Sequence, residues 1–86
     1  MRKHIQTVLR GYFGVQINRT RDRLGISQEE MAHQFGLNTR SYIDSEHGKS
    51  CCSAATLVFY LLYMCPDSEA FLEQLRHELE KQRTAA

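Results

Sequence analysis

The stretch that decides the fold is residues 27–49, SQEEMAHQFGLNTRSYIDSEHGK, which predicts two short helices joined by a tight turn. Ser27 and Glu30 have the spacing of a capping box, in which two side chains satisfy backbone N–H groups where a helix begins. Gly36 predicts the end of that helix, because glycine adopts a left-handed backbone without a Cβ clash. Asn38 is the predicted cap of the second helix. A turn this short crosses two helices at a steep angle, as in helix-turn-helix units.

Helical patterns also precede this unit. The apolar spacing predicts a first helix over about residues 13–24, and residues 3–12 continue the same pattern towards the N-terminus. Gly11 and Gly14 each cost about 1 kcal/mol inside a helix, so a break or kink is expected near them. The residues expected to face inward are Phe13, Ile17 and Leu24.

Two further helices follow the unit. The fourth begins at Ser53 or Ala54, is apolar nearly all round and ends at Pro66. The fifth spans about residues 68–83 and carries an apolar stripe. That stripe either closes the core of the monomer or forms a dimer surface, and we expect dimer use together with the fourth helix. The residues of the stripe are Phe71, Leu72, Leu75 and Leu79.

The run S-Q-E-E-φ-A-x-x-φ-G-φ-N, followed by E-x-G-K, resembles the λ-repressor and Cro-like (Xre-type) helix-turn-helix DNA-binding family. The likeness covers about residues 13–65. It implies an all-α, five-helix λ-repressor-like bundle with an N-terminal extension, so that residues 1–86 form one helix-turn-helix domain. It also implies a repressor-like transcriptional regulator that binds double-stranded DNA in a sequence-specific way. Because one short recognition helix contacts too few base pairs for specific binding, we expect a homodimer that reads a palindromic operator.

The resemblance divides the expected DNA contacts into phosphate contacts and base contacts. Gln28 begins the first helix of the unit, where the helix N-terminus also attracts a phosphate. Arg40 is the expected base reader, because its guanidinium matches O6 and N7 of guanine. The Asp44 carboxylate either accepts a hydrogen bond from cytosine N4 or pairs with Arg40, four residues earlier on the same helical face. Lys49 and the free amides near Gly48 are expected to form a second phosphate clamp. The predicted DNA-binding set is Gln28, Asn38, Thr39, Arg40, Ser41, Asp44 and Lys49.

Arg21 and Glu46 fall where the family places a structural ion pair that fixes the tilt of the recognition helix. The chain departs from the family at two positions, Tyr42 and Ser45, where aliphatic residues are usual. We expect the Tyr42 hydroxyl to reach the surface and the Ser45 hydroxyl to bond the carbonyl of Ser41.

Charge gives only modest support for nucleic-acid binding. The formal net charge is +1, with eight Lys/Arg against five acids in residues 1–50 and three against five in residues 51–86. The alternative function is therefore a protein-interaction module that retains the fold and has lost DNA binding. No catalytic constellation is recognisable, so neither an enzyme nor a cofactor is predicted.

The cysteines indicate a reducing compartment, because Cys51, Cys52 and Cys65 form no disulfide framework. His47 with Cys51 and Cys52 matches no zinc spacing, so no metal site is predicted, and a redox role for the vicinal pair stays open. No apolar run reaches the length of a membrane span, and the N-terminal stretch does not read as a secretory signal. A cytoplasmic, nucleoid-associated protein is expected.

Overall fold

The computed structural model describes the backbone of residues 2–85 and the side chains of residues 3–81, so both ends of the predicted domain 1–86 lie outside it. These residues form five α-helices and no strand, which confirms the all-α prediction. Within the part of the chain that the structure describes, no helix has the length and apolar character needed to cross a membrane. The helices are α1 (Arg2–Leu24), α2 (Gln28–Phe35), α3 (Thr39–Glu46), α4 (Ala54–Phe59), which continues as a π-helical turn (Tyr60–Met64), and α5 (Ser68–Ala85).

The caps of α2 and α3 confirm the boundaries that the sequence predicts. The Ser27 hydroxyl accepts a hydrogen bond from the Glu30 amide at 3.1 Å, and the Asn38 side chain accepts one from the Ser41 amide at 2.8 Å. Gly36 has φ +68°, the left-handed conformation that ends α2. Local signals therefore fix where the two short helices begin and end.

The predicted break in α1 is wrong, because the helix continues through both of its internal glycines. A Cβ on Gly14 would lie 2.6 Å from the carbonyl oxygen of Ser45 and 2.8 Å from that of Glu46. A Cβ on Gly11 would meet nothing within 4 Å. Gly14 is thus the point where the end of α3 touches the backbone of α1, and its missing side chain permits that contact.

The N-terminal half of α1 packs against α5. His4 Nε2 lies 3.1 Å from the carbonyl oxygen of Leu79, and the Tyr12 hydroxyl donates to the carbonyl oxygen of Phe71 at 3.0 Å. The later residue of α1 contacts the earlier residue of α5, so the two helices are antiparallel. The N-terminal extension therefore covers the C-terminal helix.

An aromatic cluster fills the core between these helices. Phe13 meets Tyr60 edge-on with ring centroids 5.5 Å apart, and Tyr60 lies 5.6 Å from Phe71. The Tyr60 hydroxyl forms a buried 3.0 Å hydrogen bond with the hydroxyl of Thr20, so neither polar group is left unsatisfied. Leu24 was expected to face inward but is 51% exposed, because it lies in the last turn of α1 beyond the core. The buried apolar residues are Phe13, Ile17, Met31, Ala32, Tyr42, Tyr60 and Phe71.

The helix that precedes Pro66 departs from regular α geometry. The amide of Cys65 bonds the carbonyl oxygen of Tyr60 at 2.8 Å, five residues back, which defines a π-helical turn. Pro66 then ends the helix, since its ring keeps Cys65 extended. This segment is only partly buried, and its most exposed apolar side chains are Val58 (52%), Leu62 (68%) and Tyr63 (75%).

The apolar stripe of α5 faces mainly inward. Phe71 is 4% exposed and belongs to the core, and Leu75 packs against that core. Leu79 is half-buried, whereas Leu72 is half-exposed. Including Phe71 in a dimer surface is therefore wrong, because its side chain is already covered within the chain.

Candidate nucleic-acid interface

The outer face of α3 carries exposed polar side chains. The Arg40 side chain is 85% exposed, and its Nε lies 3.6 Å from Oδ1 of Asp44. Asp44 was expected either to contact a cytosine or to pair with Arg40, and in the structure it pairs with Arg40. A pair this exposed contributes little stability, so Arg40 can leave Asp44 at small cost.

The inner side of α3 is held by one buried carboxylate, that of Glu46, whose side chain is 2% exposed. Arg21 of α1 donates to it from Nε at 2.8 Å and from Nη2 at 3.3 Å. The ion pair expected from the family register is thus present. The ion pair joins α1 to the same end of α3 whose backbone contacts Gly14.

Three more donors reach the same carboxylate. Asn18 Nδ2 and Gln28 Nε2 each lie 3.0 Å from Oε1 of Glu46, and the Tyr42 hydroxyl donates to Oε2. The expectation that the Tyr42 hydroxyl reaches the surface is wrong, because the side chain is buried and its hydroxyl satisfies Glu46. We call these five residues the Glu46 cluster: Asn18, Arg21, Gln28, Tyr42 and Glu46.

The Glu46 cluster ties α1, α2 and α3 together at one point. Its effect on Gln28 is direct, because one amide hydrogen is given to Glu46 and only the second remains for a phosphate. Sequence reasoning found Arg21 and Glu46 but missed the other three members. The i,i+4 spacing of Tyr42 and Glu46 was an available signal, whereas Asn18 and Gln28 lie on other helices and gave none.

The electrostatics of Glu46 follow from this geometry. Burial by itself raises the pKa of the carboxyl, but the donated hydrogen bonds, that of Arg21 foremost, outweigh it and hold the pKa at about 2. The carboxyl therefore stays ionised at neutral pH. The same contacts raise the pKa of Arg21, chiefly through its hydrogen bond to Glu46.

The depressed pKa predicts acid sensitivity. Because the folded-state pKa of Glu46 lies near 2 and the ordinary value is 4.5, the ionised carboxyl contributes its full stability above about pH 4.5 and loses it as the pH falls towards 2. Urea unfolding across that window should give a falling free energy for the wild type and a shallower dependence for Glu46→Gln. Parallel curves for the two proteins would contradict the assignment.

Comparisons of the chain with models of protein families, with curated proteins and with solved structures gave no match.

The second expected phosphate clamp is only partly available. The amide of Gly48 bonds the carbonyl oxygen of Ser45 at 3.1 Å, and the amide of Lys49 bonds that of Asp44 at 2.8 Å. These amides are therefore used to end α3 and are not free for an anion. The Lys49 side chain is exposed beside them.

The remaining predicted contacts divide by exposure. Asn38 is exposed but its side chain caps α3, while Thr39 and Ser41 are half-buried in the first turn of that helix. Ser45 is buried, and its expected bond to the Ser41 carbonyl is absent. The contact that Ser45 makes with Gly14 is through its backbone carbonyl oxygen.

The cysteines do not extend this site. No group of three metal-ligating side chains occurs among the residues whose side chains are described. Cys51 is exposed, and Cys52 is half-buried beside it. Burial raises the pKa of the Cys52 thiol to about 11, which keeps it protonated and weakly nucleophilic at neutral pH.

Proposed function

We propose that this chain is a sequence-specific double-stranded DNA-binding transcriptional regulator, λ-repressor-like and repressor-like, that acts at the nucleoid. The observation that carries the proposal is the fixed placement of α3. Its inner side is bound to α1 and α2 through Glu46, while Arg40 on its outer side is 85% exposed. A helix held rigidly on one side and polar on the other suits insertion into the major groove.

Each side chain then has a distinct role. Arg40 reads a guanine, while Thr39 and Ser41 in the same helical turn contact neighbouring base edges or phosphates. Lys49 contacts the phosphate backbone beyond the end of α3. Gln28 contributes its second amide hydrogen to a phosphate at the N-terminus of α2, positioned by its bond to Glu46.

The experiment that tests the proposal is fluorescence anisotropy with a random-sequence duplex at two salt concentrations. Binding that weakens steeply as salt rises is expected, because phosphate contacts release counterions. If no binding were seen at low salt, the proposal would be contradicted and the alternative, a protein-interaction module, would be favoured. The Arg40–Asp44 pair and the exposed Leu62 and Tyr63 would then form part of its partner-binding surface.

Arg40 and Lys49 are expected to respond differently to truncation. Arg40→Ala should weaken binding to a selected specific duplex by about 1–3 kcal/mol and relax preference at one base pair, because it removes a base contact. Lys49→Ala should weaken binding to every duplex and flatten the slope of log K against log salt by about 0.9. Equal losses on specific and random DNA for Arg40→Ala would reassign it to a phosphate.

A two-fold dimer completes the proposal. A single short recognition helix contacts too few base pairs to give the usual advantage of about 4–10 kcal/mol over random DNA, and two copies roughly double it. In such a dimer the two copies of α3 would lie about 34 Å apart, one turn of B-DNA. The exposed apolar side chains available for the interface are Val58, Leu62, Tyr63 and Leu72.

Substitutions at Leu62 and Leu75 distinguish the proposed dimer surface from the core of the chain. Leu62→Asp should give a folded monomer, because its side chain is 68% exposed, whereas Leu75→Asp should unfold the chain because Leu75 packs against the core. Sedimentation velocity and helicity by circular dichroism measure the two outcomes. Leu24→Asp, which alters an exposed leucine on α1, is the matched control and should remain dimeric. A wild-type monomer at high micromolar concentration would exclude the dimer.

A further inference from the structure

A groove of about 970 Å³ lies between α1 and α5, away from the proposed DNA-binding face. Tyr12, Val15 and Arg19 line it from α1, whereas Asn18 and Arg21 of the same helix point to Glu46. Its volume is within the range of sites that enclose small organic ligands, about 300–1,000 Å³. The groove is therefore a second surface of α1 that the proposed DNA contacts do not use.

The floor of the groove is apolar and partly uncovered. Val8, Tyr12 and Val15 line it along α1, and Phe71 lines it from α5. Val15 is about half-exposed although it is a β-branched apolar side chain. From Val8 to Arg19 the α1 backbone rises by about 16 Å, at 1.5 Å per residue. An extended alkyl chain of about ten carbons can lie along the helix within this length.

One end of the groove is cationic. Arg19 and Arg23 both line it, both are exposed, and neither forms an ion pair with any residue whose side chain is described. The two guanidinium groups are four residues apart on one helix, where like charges repel. Two carboxylates also line the groove. That of Asp67 caps α5 through the amide of Ala70, and that of Glu78 lies eleven residues further along α5, at the end away from the two arginines because α1 and α5 are antiparallel. An anion shared by the two arginines would relieve their repulsion.

We propose that this groove binds a small amphipathic organic anion, with its anionic head between Arg19 and Arg23 and its apolar body along Val15, Tyr12 and Val8. The two cations are gathered at one end, which favours a ligand with one charged head over a peptide whose contacts would be spread along the groove. Guanidinium groups bind carboxylates through paired hydrogen bonds, so a carboxylate is the expected head. This binding does not depend on DNA recognition by α3.

The test is a titration of the ¹⁵N-labelled full chain with decanoate, below its micelle-forming concentration, followed by amide chemical shifts. Saturable shifts are expected in residues 8–23 and 70–78. The uncharged counterpart decanol should bind more weakly, because it lacks the charge that the arginines attract. The Arg19→Gln/Arg23→Gln double variant should lose about tenfold or more in decanoate affinity, the effect of losing a charge-assisted hydrogen bond.

The matched control is Arg76→Gln/Lys81→Gln, which removes the same charge from exposed positions that do not line the groove. It should bind decanoate as the wild type does. Equal binding by the Arg19/Arg23 double variant, shifts centred on Val58 and Leu62, or no saturable binding would each overturn the proposal. Circular dichroism of every variant verifies that lost affinity does not come from lost helix.

Discussion

Replacing Glu46 with Gln is expected to lower the free energy of unfolding by about 3–5 kcal/mol, the usual cost of removing one partner of a buried ion pair. Arg21 keeps its charge but loses its countercharge, and its side chain is only 21% exposed. The new amide also brings its own N–H donors to a place where the neighbouring groups are donors. Urea unfolding followed by circular dichroism measures the loss.

The control for that measurement is Glu73→Gln. Oε1 of Glu73 lies 3.3 Å from Nε2 of His77, four residues on, but both side chains are more than half exposed. Its loss should change the unfolding free energy by no more than about 0.5 kcal/mol. Similar effects of the two substitutions would contradict the buried, multiply hydrogen-bonded position of Glu46.

Glu46→Gln is also expected to lose DNA affinity at a pH where the variant is folded, because α3 would no longer be fixed.

The second large effect is expected at Gly14. Gly14→Ala should destabilise the chain by about 1–3 kcal/mol or more, because the added Cβ would lie 2.6 Å from one backbone oxygen and 2.8 Å from another. Backbone atoms at the end of α3 cannot rotate away as a flexible side chain would. The overlap therefore outweighs the roughly 1 kcal/mol that alanine gains over glycine inside a helix.

Gly11→Ala is the matched variant in the same helix. A Cβ at Gly11 meets nothing within 4 Å, so alanine should stabilise the chain by up to about 1 kcal/mol through helix propensity alone. Thermal or urea unfolding of the two variants should give changes of opposite sign. If both variants were stabilised, α3 would not approach α1 as closely as the structure places it.

The sequence predicted the parts of the fold that depend on neighbouring residues. The caps at Ser27 and Asn38 and the left-handed end at Gly36 are local hydrogen-bonding and steric requirements, and each lies where it was predicted. The Arg21–Glu46 pair was reached only through the family resemblance. The boundaries of the helix-turn-helix unit were therefore predictable from neighbouring residues. The ion pair was predictable only from the alignment of the chain with the family pattern.

The features that were missed depend on contacts between distant segments. Gly14 looks like a helix breaker from sequence, because its cost is local and the reason for it lies across the structure in α3. The exposed Asn18 donates to Glu46, twenty-eight residues away, and no local pattern indicates that hydrogen bond. Phe71 could have faced either a partner or the core, and periodicity cannot distinguish the two. Tertiary packing decided all three.

The antiparallel pairing of α1 with α5 has a consequence for the order in which the molecule folds. The bond between His4 and Leu79 spans 75 residues, so forming it closes a loop of nearly the whole described chain. Closing such a loop costs entropy that the helix-turn-helix unit, built from contacts between near neighbours, does not incur. We therefore expect the unit around α2 and α3 to form early and the two outer helices to join late. The same pair should open first in the native state, which exposes Tyr12 and Phe71 while the unit stays folded.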